Sequence, residues 1–510
     1  MNNLEAKKAM LGVISCDSVI THDVSEEFSL PDYVNEVRRV LVTRAQVLPE
    51  SKYLSDTQSG TKIDFGGTVT YSVIYTDDEG KLCSTPLSST YEASSVLKCQ
   101  GGTVLVDTVA DNVTTRVSAP RKLTVKTRLK SRILAIEENE YIEKIEGKSS
   151  ADELFIERLT KNVSSLSVRS GSLQGIKMSE KLDTGSKKSL RPVLCDAISY
   201  LDEVKATNGG VSCRGSAIVK CVCESEGELI SLSRSIPIYE EIALEGALPT
   251  DMASADIRCV SLAISSEETD DACELFFDLG CEIDALAFRS VENTLSVDCY
   301  STKNDMDTTY KSIDVYNAIR CQNGAMSLND SIKRKSKDIV EIIDTLLDAT
   351  CEKCEVKGNR AIIYGRLCAS VLGKGEAKEN GDFEYFCENH ELPFKYELPL
   401  DCECASPIFR CHIDASLVSA RYADDKLHIV AELYPCVEIF DKSSEGVLDT
   451  ASIKRETEYS ECASCVRVYF PSESDTLWSV AKKYHISRDK IASQNSLDNG
   501  SLDGIKSLLI

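Results

Sequence analysis

Five histidines, His22, His390, His412, His428 and His485, are scattered through 510 residues, so proton-transfer and metal chemistry have few centres to form around. Thiols are far more numerous, at 22. Cys351-Glu-Lys-Cys354 and Cys462-Ala-Ser-Cys465 have the two-residue gap of zinc and redox sites, but the pairs fall in different parts of the chain and neither completes a four-ligand set. Cys402-Glu-Cys404 with Cys411-His412 is the other local cluster, and Cys411 alternates with aliphatic residues as a strand side chain does. The thiols are therefore expected to be buried or spectator groups, with no metal and no cofactor. No glycine-rich phosphate loop, nucleophile elbow or HExxH pair occurs. The abundant carboxylates carry no spacing that separates a catalytic pair from a solvated surface. The chain reads as one that binds, not as an enzyme.

The elements that would position such groups must belong to several domains, because 510 residues exceed what one hydrophobic core serves. Lys and Arg number 58 against 82 Asp and Glu, a net charge of -24 that repels phosphate backbones and anionic membrane faces. Nucleic acid and membrane insertion are not expected. The N-terminus carries only a short apolar run, broken at Cys16-Asp-Ser18, which predicts no secretion signal and a reducing, cytoplasmic setting for the thiols.

The chain repeats itself at a period of about 150 residues, the signature of a duplicated unit. Aligning Gly67, Gly215 and Gly365 places Val69, Tyr71, Val73 and Tyr75 over Ala217, Val219, Cys221 and Cys223, and over Leu367, Ala369, Val371 and Gly373. Their period of two predicts a strand with one buried face. Polar turns follow at Asp77–Gly80, Glu224–Gly227 and Lys378–Gly381, then a tyrosine marker at Tyr91, Tyr239 and Tyr396. A closing strand recurs at Leu123–Leu129, Leu275–Cys281 and Leu427–Leu433. Alternation with Gly and polar turns predicts a mainly β chain of three tandem β-sandwich-like repeats or open barrels. Ile339, Ile342, Ile343, Leu346 and Leu347, and Leu154, Ile156, Leu159 and Val163, recur at helical spacing and predict short helices, with pairing into the sheet as the alternative.

After Val466–Phe470 the period becomes helical: Leu477, Val480, Ala481 and Tyr484 share one face, with Ser474 or Asp475 as cap. A second helix after Ser487 carries Ile491 inward, and residues 507–510 return to pair with the first strand, closing a βααβ unit. This order, with Ser474-Asp-Thr-Leu-Trp478, Tyr484, Ile491, Asn495 and Leu497, resembles a LysM domain, a family that binds N-acetylglucosamine-containing glycans. It departs from that family at Ser474, where glycine is usual. The resemblance implies a groove for glycan or protein partner at Ser474, Asp475, Thr476, Asn495 and Leu497.

Upstream, Glu27-Phe-Ser-Leu-Pro-Asp-Tyr-Val-Asn-Glu-Val-Arg-Arg-Val-Leu41 and the Gly67 strand resemble proteins carrying spore-coat-associated (SPOCS) repeats. The domains are accordingly expected as a lead-in at 1–33, repeats at 34–148, 149–300 and 301–445, a linker at 446–465 and the LysM-like module at 466–510. The resemblance implies a non-catalytic scaffold of the bacterial endospore coat, placed in the mother-cell cytoplasm at the forespore surface. Its implied partners are a coat-basement scaffold protein and an N-acetylglucosamine-containing glycan. The alternative is a LysM-bearing, peptidoglycan-binding cell-wall protein.

Overall fold

A computed structural model describes residues 4–58, 60–99, 102–147, 155–182, 184, 190–225, 228–268, 273–335, 338–377, 383–455, 467–497, 501–502 and 504–510. Through residue 455 every regular element among them is a strand, and every pairing is antiparallel. The first unit comprises β1 (Leu4–Ser29), β2 (Val37–Thr57), β3 (Gly60–Asp77), β4 (Leu82–Leu97), β5 (Thr103–Ala119) and β6 (Lys122–Gly147). It forms two three-stranded sheets, β2-β3-β4 and β1-β6-β5. The second unit repeats this with β7 (Ile156–Leu182), β8 (Arg191–Thr207), β9 (Gly210–Ser225), β10 (Glu228–Ala243), β11 (Met252–Glu268) and β12 (Cys273–Ser301). In the third, the first strand is split into β13 (Asp305–Asn323) and β14 (Met326–Lys333), followed by β15 (Glu341–Lys357), β16 (Arg360–Lys374), β17 (Tyr385–Pro399), β18 (Pro407–Ala423) and β19 (Lys426–Arg455).

The alternation seen in the sequence is the core of each sandwich. Val69, Tyr71, Val73 and Tyr75 on β3, and their counterparts on β9 and β16, are all buried. They meet Leu123, Val125 and Leu129 of β6, Leu275, Phe277, Leu279 and Cys281 of β12, and Leu427, Ile429, Ala431 and Leu433 of β19. The recurring glycine has a steric cause. Gly67, Gly215 and Gly365 lie opposite Pro49, Leu201 and Cys351, and in each copy the register breaks at that residue. The bulge drives a carbonyl inward, so that a Cβ would sit 2.1 Å from Leu48 O, 2.0 Å from Tyr200 O or 2.5 Å from Thr350 O.

Several expectations are corrected. Tyr91 pairs with Gly67, but the residues opposite Gly215 and Gly365 are Ile238 and Phe394. Tyr239 is one place out of phase, which turns it to the other face and leaves it 69% exposed. The segments read as helical are strand. β15 is buried on both faces, with Leu347 in its own sandwich and Leu346 against the neighbouring units, so its apolar residues run together instead of alternating. Ile156 and Val163 of β7 likewise pack against residues of the other two units, and Leu154 lies outside the described residues. β1 fills most of the stretch expected as a lead-in, paired with β6 from Leu4 opposite Gly147 to Ser29 opposite Lys122. Its residues are mostly exposed or half-buried, which is why its alternation is faint. β19 runs through 446–455, paired there with β13, where a linker was expected. The Asp77–Gly80 turn closes with Gly80 at φ +84°; 226–227, 378–381 and Cys462 with Cys465 lie outside the described residues.

The three units also share buried surface. Ile74, Val222 and Leu372, each seven residues beyond the repeat glycine, meet in one cluster. Ile136, Phe288 and Phe440, spaced by 152 residues each, meet in another, with the two phenyl rings 5.1 Å apart and edge to face. When equivalent residues of three copies converge twice, the copies must be arranged about a common axis. Arg44 of the first unit is salt-bridged to Asp196 of the second and, at 3.6 Å, to Asp348 of the third.

Candidate functional site

The C-terminal module is built as its sequence suggests. β20 (Val468–Tyr469) pairs with β21 (Leu508–Leu509), and between them lie α1 (Leu477–Tyr484) and α2 (Arg488–Asn495). Leu477, Val480, Ala481, Ile491 and Leu508 form its core. The cap of α1 is Thr476, one residue later than expected. Its hydroxyl accepts from Ser479 N at 3.1 Å, and the Ser479 hydroxyl accepts from Thr476 N at 2.9 Å. Helix α2 starts after Ser487, as expected, with the Ser487 hydroxyl accepting from Lys490 N as its cap.

The five residues assigned to a groove have distinct structural duties. Asp475 folds the loop before α1, accepting from Tyr469 OH, Ser472 N and Ser472 Oγ, each at 2.8 Å. The Ser472 bonds and the Tyr469 hydroxyl hold its carboxyl below the usual carboxylate range. Asn495 ties α2 to the last strand, donating to Ile491 O at 2.8 Å and Leu509 O at 2.7 Å while accepting from Leu509 N at 2.6 Å. Leu497 is half-buried against the module's core. Thr476 is committed to its helix, and Ser474 is exposed, its hydroxyl 3.2 Å from that of Ser472. Among the described residues no hydrogen bond joins the 474–476 loop to Asn495 or Leu497. Backbone and the Ser474 hydroxyl therefore remain for a ligand there, beside exposed Phe470.

A second set of residues, of which the LysM-like motif contains Trp478 alone, fixes the module to the β body. The indole nitrogen of Trp478 donates to Asp298 Oδ2 at 2.8 Å, and Lys482 Nζ reaches both oxygens of that carboxylate at 2.6 and 2.8 Å. Tyr310 OH donates to Asp298 Oδ1 at 2.6 Å. Burial opposes the Asp298 charge, yet these donors outweigh it and hold its pKa below the usual value. Tyr300 packs edge to face on Trp478 with centroids 5.0 Å apart and donates to Ile486 O at 2.7 Å, while the Arg488 guanidinium lies over the indole, 5.1 Å from its centroid. Arg488 also pairs with Glu157 and donates to Arg158 O. No local signal marks this face, because its partners lie between 172 and 331 residues upstream in sequence.

The remaining chemistry lies where the three sandwiches meet, around a cavity of about 2310 Å³ lined by residues of all three units. Asp107, Asp256 and His412 occupy one equivalent position, each opposite a residue of the 152-spaced series Arg132, Asp284 and Cys436. Arg410 bridges units, donating to Asp107 at 2.5 Å and to the buried Glu438 at 2.6 Å. Ser254 donates to Glu438 at 2.7 Å. Three of the thiols behave as small hydrophobes: burial pushes Cys354 up to about 11 and Cys213 and Cys387 up to about 12.

Residues 473–503 match the family model of the LysM domain, a family associated with glycan and peptidoglycan binding. No curated protein and no solved structure matches the chain.

Proposed function

We propose that the protein is a non-catalytic adaptor that holds a glycan-binding LysM module at a set orientation on a rigid threefold β body. The observation carrying this reading is the anchoring of the module. Trp478, Lys482 and Arg488 are spent on the β body, while Glu473 and Ser474 stay exposed for a ligand. A module fixed in this way transmits binding to the whole body instead of swinging on a tether. The LysM match supports a glycan containing N-acetylglucosamine as ligand. The experiment is retention of the full chain on purified peptidoglycan and on chitin, with Ser474→Arg beside the parent. The parent should be retained and the variant lost to the wash. Equal behaviour of the two proteins overturns the assignment of the groove, and absence of retention of both overturns the glycan ligand.

The finer reading, supported by the resemblance to spore-coat-associated repeats, is assembly of the endospore coat from the mother-cell cytoplasm, with a coat-basement scaffold protein as partner. The broad faces of the three sandwiches offer surface for such contacts, and the net charge of -24 favours a basic partner. A fluorescent fusion that rings the forespore supports this placement, and uniform fluorescence through sporulation removes it.

A further inference from the structure

We infer that Asp256, His412 and Asp414 form a binding site for a divalent transition-metal ion of the zinc class, at the junction of the three repeats. His412 and Asp414 are i and i+2 on β18, so the strand's alternation aims both side chains to one side. Asp256 comes from β11 of another unit, at the position equivalent to His412. His412 Nε2 lies 3.3 Å from Asp414 Oδ1 and 3.7 Å from Asp256 Oδ1, and one ligating atom from each residue falls within 4.8 Å of the others.

These separations suit a metal better than a proton. Two ligands bound tetrahedrally at 2.0–2.1 Å from one zinc ion are roughly 3.4 Å apart. A charge-assisted hydrogen bond from imidazolium to carboxylate is shorter, about 2.7–2.9 Å, and one N–H shared between two carboxylates bonds each less well than a linear bond does. The surroundings fit as well. Arg258 holds the other oxygen of Asp256 at 3.2 Å, orienting the carboxylate and leaving Oδ1 toward His412. The third equivalent position, Asp107, is already engaged by Arg410, so the copies supply one asymmetric set of ligands. The cavity lining carries more carboxylates than lysines and arginines, which favours a cation. Imidazole nitrogen with two carboxylate oxygens selects first-row transition metals over calcium and magnesium.

The test is titration of the chelator-stripped full chain with Co²⁺, whose spectrum separates nitrogen and oxygen ligands from the 22 competing thiols. One equivalent should bind, with weak visible d–d bands and no sulfur-to-cobalt charge transfer. His412→Gln, Asp414→Asn and Asp256→Asn should each weaken binding by at least about tenfold. Melting curves of the variants establish that they fold. If one does not, the parent spectrum and the remaining variants decide. A charge-transfer band from thiolate, binding unchanged in the folded variants, or no binding by the parent overturns the site.

Discussion

At the scale of single residues, the repeat glycines show how a bulge dictates sequence. An alanine at Gly215 would place its Cβ 2.0 Å from Tyr200 O, and backbone, unlike a flexible side-chain tip, cannot step aside cheaply. Gly215→Ala is expected to cost roughly 2–3 kcal/mol by overpacking, read as a lower midpoint in urea unfolding. Gly446 also lies in a strand, but its added Cβ meets nothing within 4 Å, so Gly446→Ala should stay within about 0.5 kcal/mol of the parent. Equal midpoints for both variants would refute the steric account. The same scale explains which site residues were legible. The LysM resemblance singles out Asp475, Asn495 and Thr476 as groove residues, whereas their polar atoms hold the fold, and only the structure shows that Ser474 is left over. His412 was legible only as a neighbour of Cys411, since Asp256 lies 156 residues earlier and no pattern in one strand announces a partner in another.

At the scale of elements, α1 meets the body through one half-buried carboxylate and the only tryptophan in the chain. Asp298 has a depressed pKa, so its contribution to docking is complete above the ordinary aspartate value of about 3.9 and is lost as the pH falls through its lower folded value. Acidification below about pH 4 should therefore free Trp478 from Tyr300 and red-shift its emission. Asp298→Asn should show the freed emission already at neutral pH, and an acid shift of unchanged size in that variant would assign the change to another carboxylate. Elements were legible in the sequence wherever buried apolar residues alternate with more exposed ones, as along Val69–Val73 of β3 and Leu123–Ser131 of β6. They were misread where both faces are covered. β15 buries Leu346 and Leu347 on opposite sides, and two adjacent apolar residues imitate a helix as readily as a doubly buried strand. β1 escaped notice for the opposite reason, because much of it is half-exposed and its partner lies over a hundred residues away.

For the whole molecule, the question is whether three duplicated sandwiches remain three folding units. Independent domains bury their apolar residues within themselves and meet through modest, polar surfaces. Here Ile74, Val222 and Leu372, and again Ile136, Phe288 and Phe440, are buried in clusters drawn from all three copies. Arg44 adds a charge bridge among the units, and the first and third are further joined by Arg410 and Asp107. A unit unfolding alone would expose these clusters on its two neighbours and strand Asp196 or Asp107 without its ion-pair partner. The cost of that exposure couples the copies, so the β body should melt in one calorimetric transition. Phe440→Ala supplies the decisive case, since Phe440 is fully buried and its ring touches the second unit. Its removal should cost about 3–5 kcal/mol. Coupled units place that loss in the single transition, which moves to lower temperature without dividing. Independent units would instead give an early melting step for the third sandwich, with the other two unfolding at the parent temperature.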